Sequence, residues 1–199
     1  MRYINQLEYP HVPYHTNGAH PELPDELRNR TVALSGCGLC AAITVIELLC
    51  LDKTVTVEEM VKISEENGAQ PGVGTSLRIL SPLIAEMFDL DYHGTNDLDE
   101  VVRHLQAGGV GIVHVGVPEG KEIGLFTKGG HYMTLVSTDG KDFCILDPSY
   151  APDKFDIPER AGRVDTSRAP FLYCDIETLH SEITPKPVAS KYHLFARKR

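Results

Sequence analysis

Residues 37 to 51 constrain this chain more than any other stretch, because they are apolar on almost every side of a helix, with Thr44 and Glu47 the polar interruptions. A helix of that kind has no solvent face and must be enclosed by the rest of the chain. Its first turn is unusual. Ser35-Gly36-Cys37-Gly38 sets a cysteine between two glycines, which tolerate backbone conformations and close approaches that a Cβ forbids. The free N–H groups and positive dipole end of a helix start favour an anion, and a thiol placed there has its pKa lowered toward the reactive thiolate. Cys37 is the first candidate for chemistry.

The helical period continues after it. Thr56 and Glu59 have the spacing of a capping box opening a helix that Gly68 ends. A Gly-rich turn, Gly72 to Ser76, leads into a further helix over 76–88. Such a turn can hold a phosphate, but with no Lys and no preceding strand that reading is weak. Asp97 to Glu100 starts an amphipathic helix that runs to Gln106 and breaks at Gly108-Gly109. The period then changes. Val110 to Val115 has the β-branched content of a buried strand. A segment of loop character, Pro118 to Gly124, precedes two strands, 129–136 and 142–148, joined by a turn at Asp139-Gly140. Centring the turn there sets His131 opposite Pro148 and beside Asp147, within reach of a cross-strand contact. Beyond Tyr150 the chain reads as loop to about Arg168, a short helix near 176–183 capped by Asp175, and a strand at 191–197. The expectation is one α+β domain over 1–199, helical in its first half and sheet-rich in its second.

Composition narrows the function classes. A net charge of −9 argues against a nucleic-acid partner, and Arg197-Lys198-Arg199 reads as a solvated terminus. No apolar run approaches the ~18 residues of a spanning helix, and the first fifteen residues lack the apolar core of a signal peptide, so the chain as given reads as cytoplasmic with no membrane partner. Five cysteines, at 37, 40, 50, 144 and 174, fit a reducing compartment better than a disulfide framework. Residues 1–34 are rich in Pro and poor in period and read as an irregular lead-in. His11, His15 and His20 lie in it without a Cys or carboxylate pair at ligand spacing, which favours surface loop over metal site.

A reactive thiol needs a base, and the base needs a partner to fix its tautomer; Cys37, His131 and Asp147 supply the three roles. Taken singly, His131 reads as a core histidine and Asp147 as a turn residue. Their joint placement at the ends of expected elements is what favours a nucleophilic site. Ser35-Gly36-Cys37-Gly38 opening an apolar helix, Gly130-His131-Tyr132 opening a strand, and Asp147-Pro148 ending the next resemble the papain-like cysteine peptidases of the bacteriocin-leader-processing family and their stand-alone relatives. The resemblance runs from Ile4 to Tyr150.

It implies a papain-like α+β fold, with a helical lobe bearing the Cys and an antiparallel sheet bearing His and Asp. It implies a thiol hydrolase acting on a peptide, or a small amide or thioester, through an acyl-enzyme thioester at Cys37. His131 is then general base and acid, Asp147 the orienting carboxylate, and no cofactor or metal is needed. Gln6, followed by Tyr9-Pro10, is the candidate oxyanion donor, while the position six before Cys37, where compact relatives carry that Gln, is Thr31. Leu39 and Cys40 stand where relatives often have Pro and Thr or Ser. Three rivals remain open: a redox or zinc site at Cys37-Gly38-Leu39-Cys40, an acyl or aminoacyl transferase with the same triad, and a non-catalytic peptide-binding module.

Overall fold

The structure is a computed structural model and describes residues 1–16 and 21–198. His20 and Arg199, each part of an expectation above, lie outside the described residues. In chain order the elements begin with a single 3-10 turn at Gln6–Glu8, strand β1 (Pro13–His15), helix α1 (Asp25–Arg28), strand β2 (Asn29–Thr31) and helix α2 (Val32–Ser35). Helices α3 (Cys37–Leu49), α4 (Val57–Glu66) and α5 (Leu77–Phe88) follow, then β3 (Leu90–Thr95), α6 (Leu98–Gln106), β4 (Val110–Val115), β5 (His131–Thr138), β6 (Asp142–Leu146), β7 (Phe171–Asp175), α7 (Ile176–His180) and β8 (Tyr192–Arg197).

Six strands form one antiparallel sheet in the order β3-β8-β4-β5-β6-β7. Alternation along the strands gives each face its own core. Val110 and Ile112 join α3, α4 and α5 on one side, while Val113 and Val115 join Val101 and Leu105 of α6 and Leu179 of α7 on the other. Helix α3 is buried from Gly38 through Glu47. Each buried Ile or Leu there is worth about 1.5–3 kcal/mol, so tertiary packing rather than intrinsic propensity holds it. Glu47, the charge within that buried stretch, is answered by Arg2, whose Nη2 lies 2.9 Å from Oε1. That contact pins the start of the chain against α3.

The capping reading holds in detail. Glu59 N–H donates to Thr56 Oγ1 at 3.1 Å and Thr56 N–H to Glu59 Oε2 at 2.8 Å, and Gly68 takes the left-handed conformation just past the helix end. Asp97 and Asp175 cap α6 and α7 as expected. Helix α3 stops two residues short of 51, with Cys50 as its C-cap, and α7 ends at His180 rather than 183.

Three expectations need correction. Residues 1–34 are not simply irregular: β1 and β2 form a two-stranded sheet, and α2 runs directly into Gly36. The expected elements also lack strands β3 and β7, which form the two edges of the main sheet. Finally, His131 does not face Pro148. The turn is longer than the one centred on Asp139-Gly140, with Thr138 paired to Phe143 and Asp139 Oδ1 accepting from the N–H groups of Lys141 and Asp142, both at 2.8 Å. Between Leu135 and Ser137 the register then slips by one, so that Thr134 pairs with Leu146. Continuing that register sets His131 opposite residue 149 and on the same face as Asp147. The expected register would have put His131 and Asp147 on opposite faces, since a one-residue shift inverts every side chain.

Candidate active site

Cys37 begins α3, and both glycines beside it are forced by contact. A Cβ on Gly36 would lie 2.5 Å from Val32 Cγ1, and one on Gly38 would lie 2.6 Å from Thr75 Cβ. Thr75 is itself fixed from behind by Tyr14, whose hydroxyl also reaches Ser64, at 2.9 and 2.8 Å. The thiol is therefore seated against a rigid wall rather than on a mobile loop.

The structure brings the three expected residues together. His131, at the first position of β5, lies close enough to the Cys37 thiol for each to shift the other's pKa. Its Nε2 lies 2.7 Å from Asp147 Oδ1. Nε2–H donating to the carboxylate leaves the Nδ1 lone pair of the neutral ring free to accept a proton, the tautomer a general base requires. Asp147 has no exposed surface. Its Oδ1 also accepts from Ser149 N–H at 2.9 Å and Ser149 Oγ at 3.1 Å, and Oδ2 accepts from Lys154 Nζ. Lys154 Nζ donates to Ser149 Oγ as well, at 2.8 Å.

Electrostatics follow from these partners. Burial pushes the Cys37 thiol up, but the hydrogen bond and charge of His131, with N–H groups of Tyr132 and Gly38, outweigh it and lower its pKa. Burial works against the His131 cation, but the Asp147 carboxylate and the Cys37 hydrogen bond raise its pKa above the usual imidazole value. Burial also opposes the Asp147 charge, yet Lys154 and His131 hold its carboxyl well below the ordinary range. Thiolate and imidazolium are thus favoured as a pair. Cys40, one turn along the helix, goes the other way, with burial and the Cys37 charge raising its pKa.

Gln6 is buried and held beside this group. Its backbone N–H donates to Pro148 O at 2.7 Å, Asn5 Nδ2 to Tyr150 O at 2.8 Å, and the Tyr3 hydroxyl to Asp147 O, so residues 3–6 lace the chain start to the acid-bearing segment. Gln6 Nε2 donates to Ala33 O at 2.8 Å, which leaves its second N–H for another acceptor, while Oε1 is buried without a partner.

A cleft of about 480 Å3 opens over Cys37, walled by Val73 to Thr75 on one side and Thr127 to Gly130 on the other, with His114 and Tyr132 lining it. His114 stacks on Tyr132 with ring centroids 4.3 Å apart. Residues 121–123 of the loop before β5 line a separate depression with Glu159 and Arg163. Among the described residues, no three His, Cys, Asp or Glu side chains are placed to hold a metal ion, and no helix is long and apolar enough to cross a membrane.

Three contributors were not singled out in the sequence. Ser149 had a local signal, two residues after Asp147 across a proline. Lys154 returns to Asp147 only through the turns after Tyr150, and His114 reads as one more residue of a buried strand.

A Cys-headed buried helix set against an antiparallel sheet that carries His and Asp defines the papain-like cysteine peptidase fold. Among solved structures the chain is similar to a protein of Bacillus anthracis designated, by inference, a C39-like peptidase, at 12% identity, a TM-score of 0.55 and coverage of 96% of both chains. It is also matched by the peptidase domain of Streptococcus ComA, a bi-functional ABC transporter involved in quorum sensing, at 15% identity, a TM-score of 0.48 and coverage of 81% of this chain and 91% of that one. At such identities the likeness is one of fold. No protein-family model matches the chain, and no curated protein matches it.

Proposed function

We propose that the whole chain serves as one cysteine hydrolase domain that cleaves a peptide or amide bond through Cys37, His131 and Asp147. The observation that carries this reading is one imidazole that bonds a buried carboxylate and lies close enough to the Cys37 thiol to lower its pKa. The Cys37 thiolate attacks the scissile carbonyl, and the tetrahedral oxyanion is received by the N–H groups at the start of α3 and by the second N–H of Gln6. His131, then imidazolium, gives its proton to the departing amine. The thioester left on Cys37 is hydrolysed by water that His131 deprotonates in turn, which restores the thiol. Asp147 holds the ring and stabilises its charge throughout, with Ser149 and Lys154 fixing the carboxylate.

A lowered thiol pKa has no use in a binding module, which favours the enzyme over that rival. The test is alkylation by iodoacetamide at neutral pH, followed by peptide mass mapping. Cys37 is expected to label first, because burial raises the other four thiols, and His131→Ala is expected to slow it. Equal labelling of all five cysteines would remove the catalytic reading.

A further inference from the structure

The cleft over Cys37 is charged against the grain of the chain. The sequence holds 28 acidic and 19 basic residues, yet the charged residues lining the cleft are Arg30, Lys128 and Lys186, with no Asp or Glu among its lining. The three come from separate parts of the chain: β2, the loop before β5, and the segment before β8. Among the described residues no salt bridge joins any of them to a carboxylate, whereas Arg163 and Lys121, outside the cleft lining, pair with Glu182. A second cavity of about 380 Å3 shares Tyr132 with the first and lies past the Lys186-Pro187 step; its one charged lining residue is Arg78. His114 adds no charge at neutral pH, since burial, Lys186 and His131 lower its pKa to about 4.

Uncompensated cations around a concave surface focus a positive potential into it, while the −9 chain as a whole repels anions. We propose that the peptide this cleft receives is anionic, with a carboxylate within a few residues of the scissile carbonyl held by Arg30, Lys128 and Lys186. This rests on the reading of Cys37 as the nucleophile. The carboxylate belongs to an Asp or Glu side chain or to the end of a peptide chain. Its attraction orients the substrate over Cys37 and excludes basic peptides, as like charges in the cleft repel.

Two haloacetyl probes of similar size separate charge from thiol reactivity: iodoacetate is an anion and iodoacetamide is neutral. On the full chain at low ionic strength, the iodoacetate to iodoacetamide rate ratio at Cys37 is expected to exceed that of glutathione by about three- to tenfold and to fall toward it in 0.5 M salt. The His131 charge is common to every variant, so the triple substitution Arg30→Gln, Lys128→Gln, Lys186→Gln isolates the cleft residues and is expected to lose the excess. Lys62→Gln, on the exposed face of α4, is expected to keep it. A ratio equal to that of glutathione, or an excess that survives both salt and the triple substitution, would overturn the inference while leaving the nucleophile reading intact. Failure of both probes at Cys37 would instead remove that reading and this inference with it. Among fluorogenic peptides, Glu- or Asp-containing ones are expected to be cleaved faster than their Gln or Asn isosteres. A preference in C-terminally amidated peptides assigns the anion to side chains, one confined to free acids assigns it to the terminus, and equal cleavage of all would overturn the inference.

Discussion

Replacing Lys154 by Met is the sharpest probe of how the acid of this site is held. Lys154 has 8% of its side chain exposed, and Asp147 has none. Removing one partner of a buried ion pair costs about 3–5 kcal/mol. The lower end applies here, because Asp147 keeps the His131 ring, the Ser149 amide and the Ser149 hydroxyl. For a domain of this length about 3 kcal/mol is a fall in Tm of roughly 6–12 °C, readable by calorimetry. Asp147 has its pKa lowered in the fold, so the stability it contributes is present above its unfolded value and lost as pH falls through the acid range. The gap between wild type and variant should therefore narrow below about pH 4. Lys154 also lowers the His131 pKa, and its loss should move the alkaline limb of the Cys37 alkylation profile to higher pH. Adding Asp147→Asn removes the stranded charge and should recover part of the lost Tm, as a double-mutant cycle would show. A Lys154→Met protein that melts within about 2 °C of wild type, with an unmoved alkaline limb, would refute the reasoning.

Gly38→Ala places a methyl 2.6 Å from Thr75 Cβ and should cost about 1–3 kcal/mol of stability and slow alkylation of Cys37, whereas Gly129→Ala, with nothing within 4 Å of its Cβ, should do neither; thermal melts and alkylation rates check both. Gln6→Ala should lower kcat on a cleavable peptide by about 10²-fold with little change in KM, as expected for a donor that binds charge only in the transition state, and a change in KM alone would deny Gln6 that role.

The sequence carried the local elements well and the long-range ones poorly. Helices α3, α4 and α6 were legible because their caps and apolar spacing are contained within one stretch of chain. Strand β7 was not: Phe171 to Cys174 is brief, and its pairing with β6 depends on what lies beside it. Strand β3 carries Asp91, His93 and Gly94, which mask the alternation of an edge strand half open to solvent. The meeting of His131 with Asp147 was foreseen from a turn signal, yet the register drawn from that signal was wrong, because neither the longer turn nor the slip near Val136 has a composition cue. Lys154 was illegible for a related reason. No pattern ties a lysine in a loop to a carboxylate seven residues earlier until the turns between them are known.

The slip in β5 has a consequence for how this chain tolerates change. Whether His131 and Asp147 lie on one side of the sheet is a question of odd or even count along two strands, not of which side chains fill them. Apolar exchanges at Met133, Leu135 or Ile145 leave that parity untouched. Removing one residue from the interior of either strand would turn the base away from its acid while every catalytic group remained in the sequence. Length, between these two points, is held more tightly than identity.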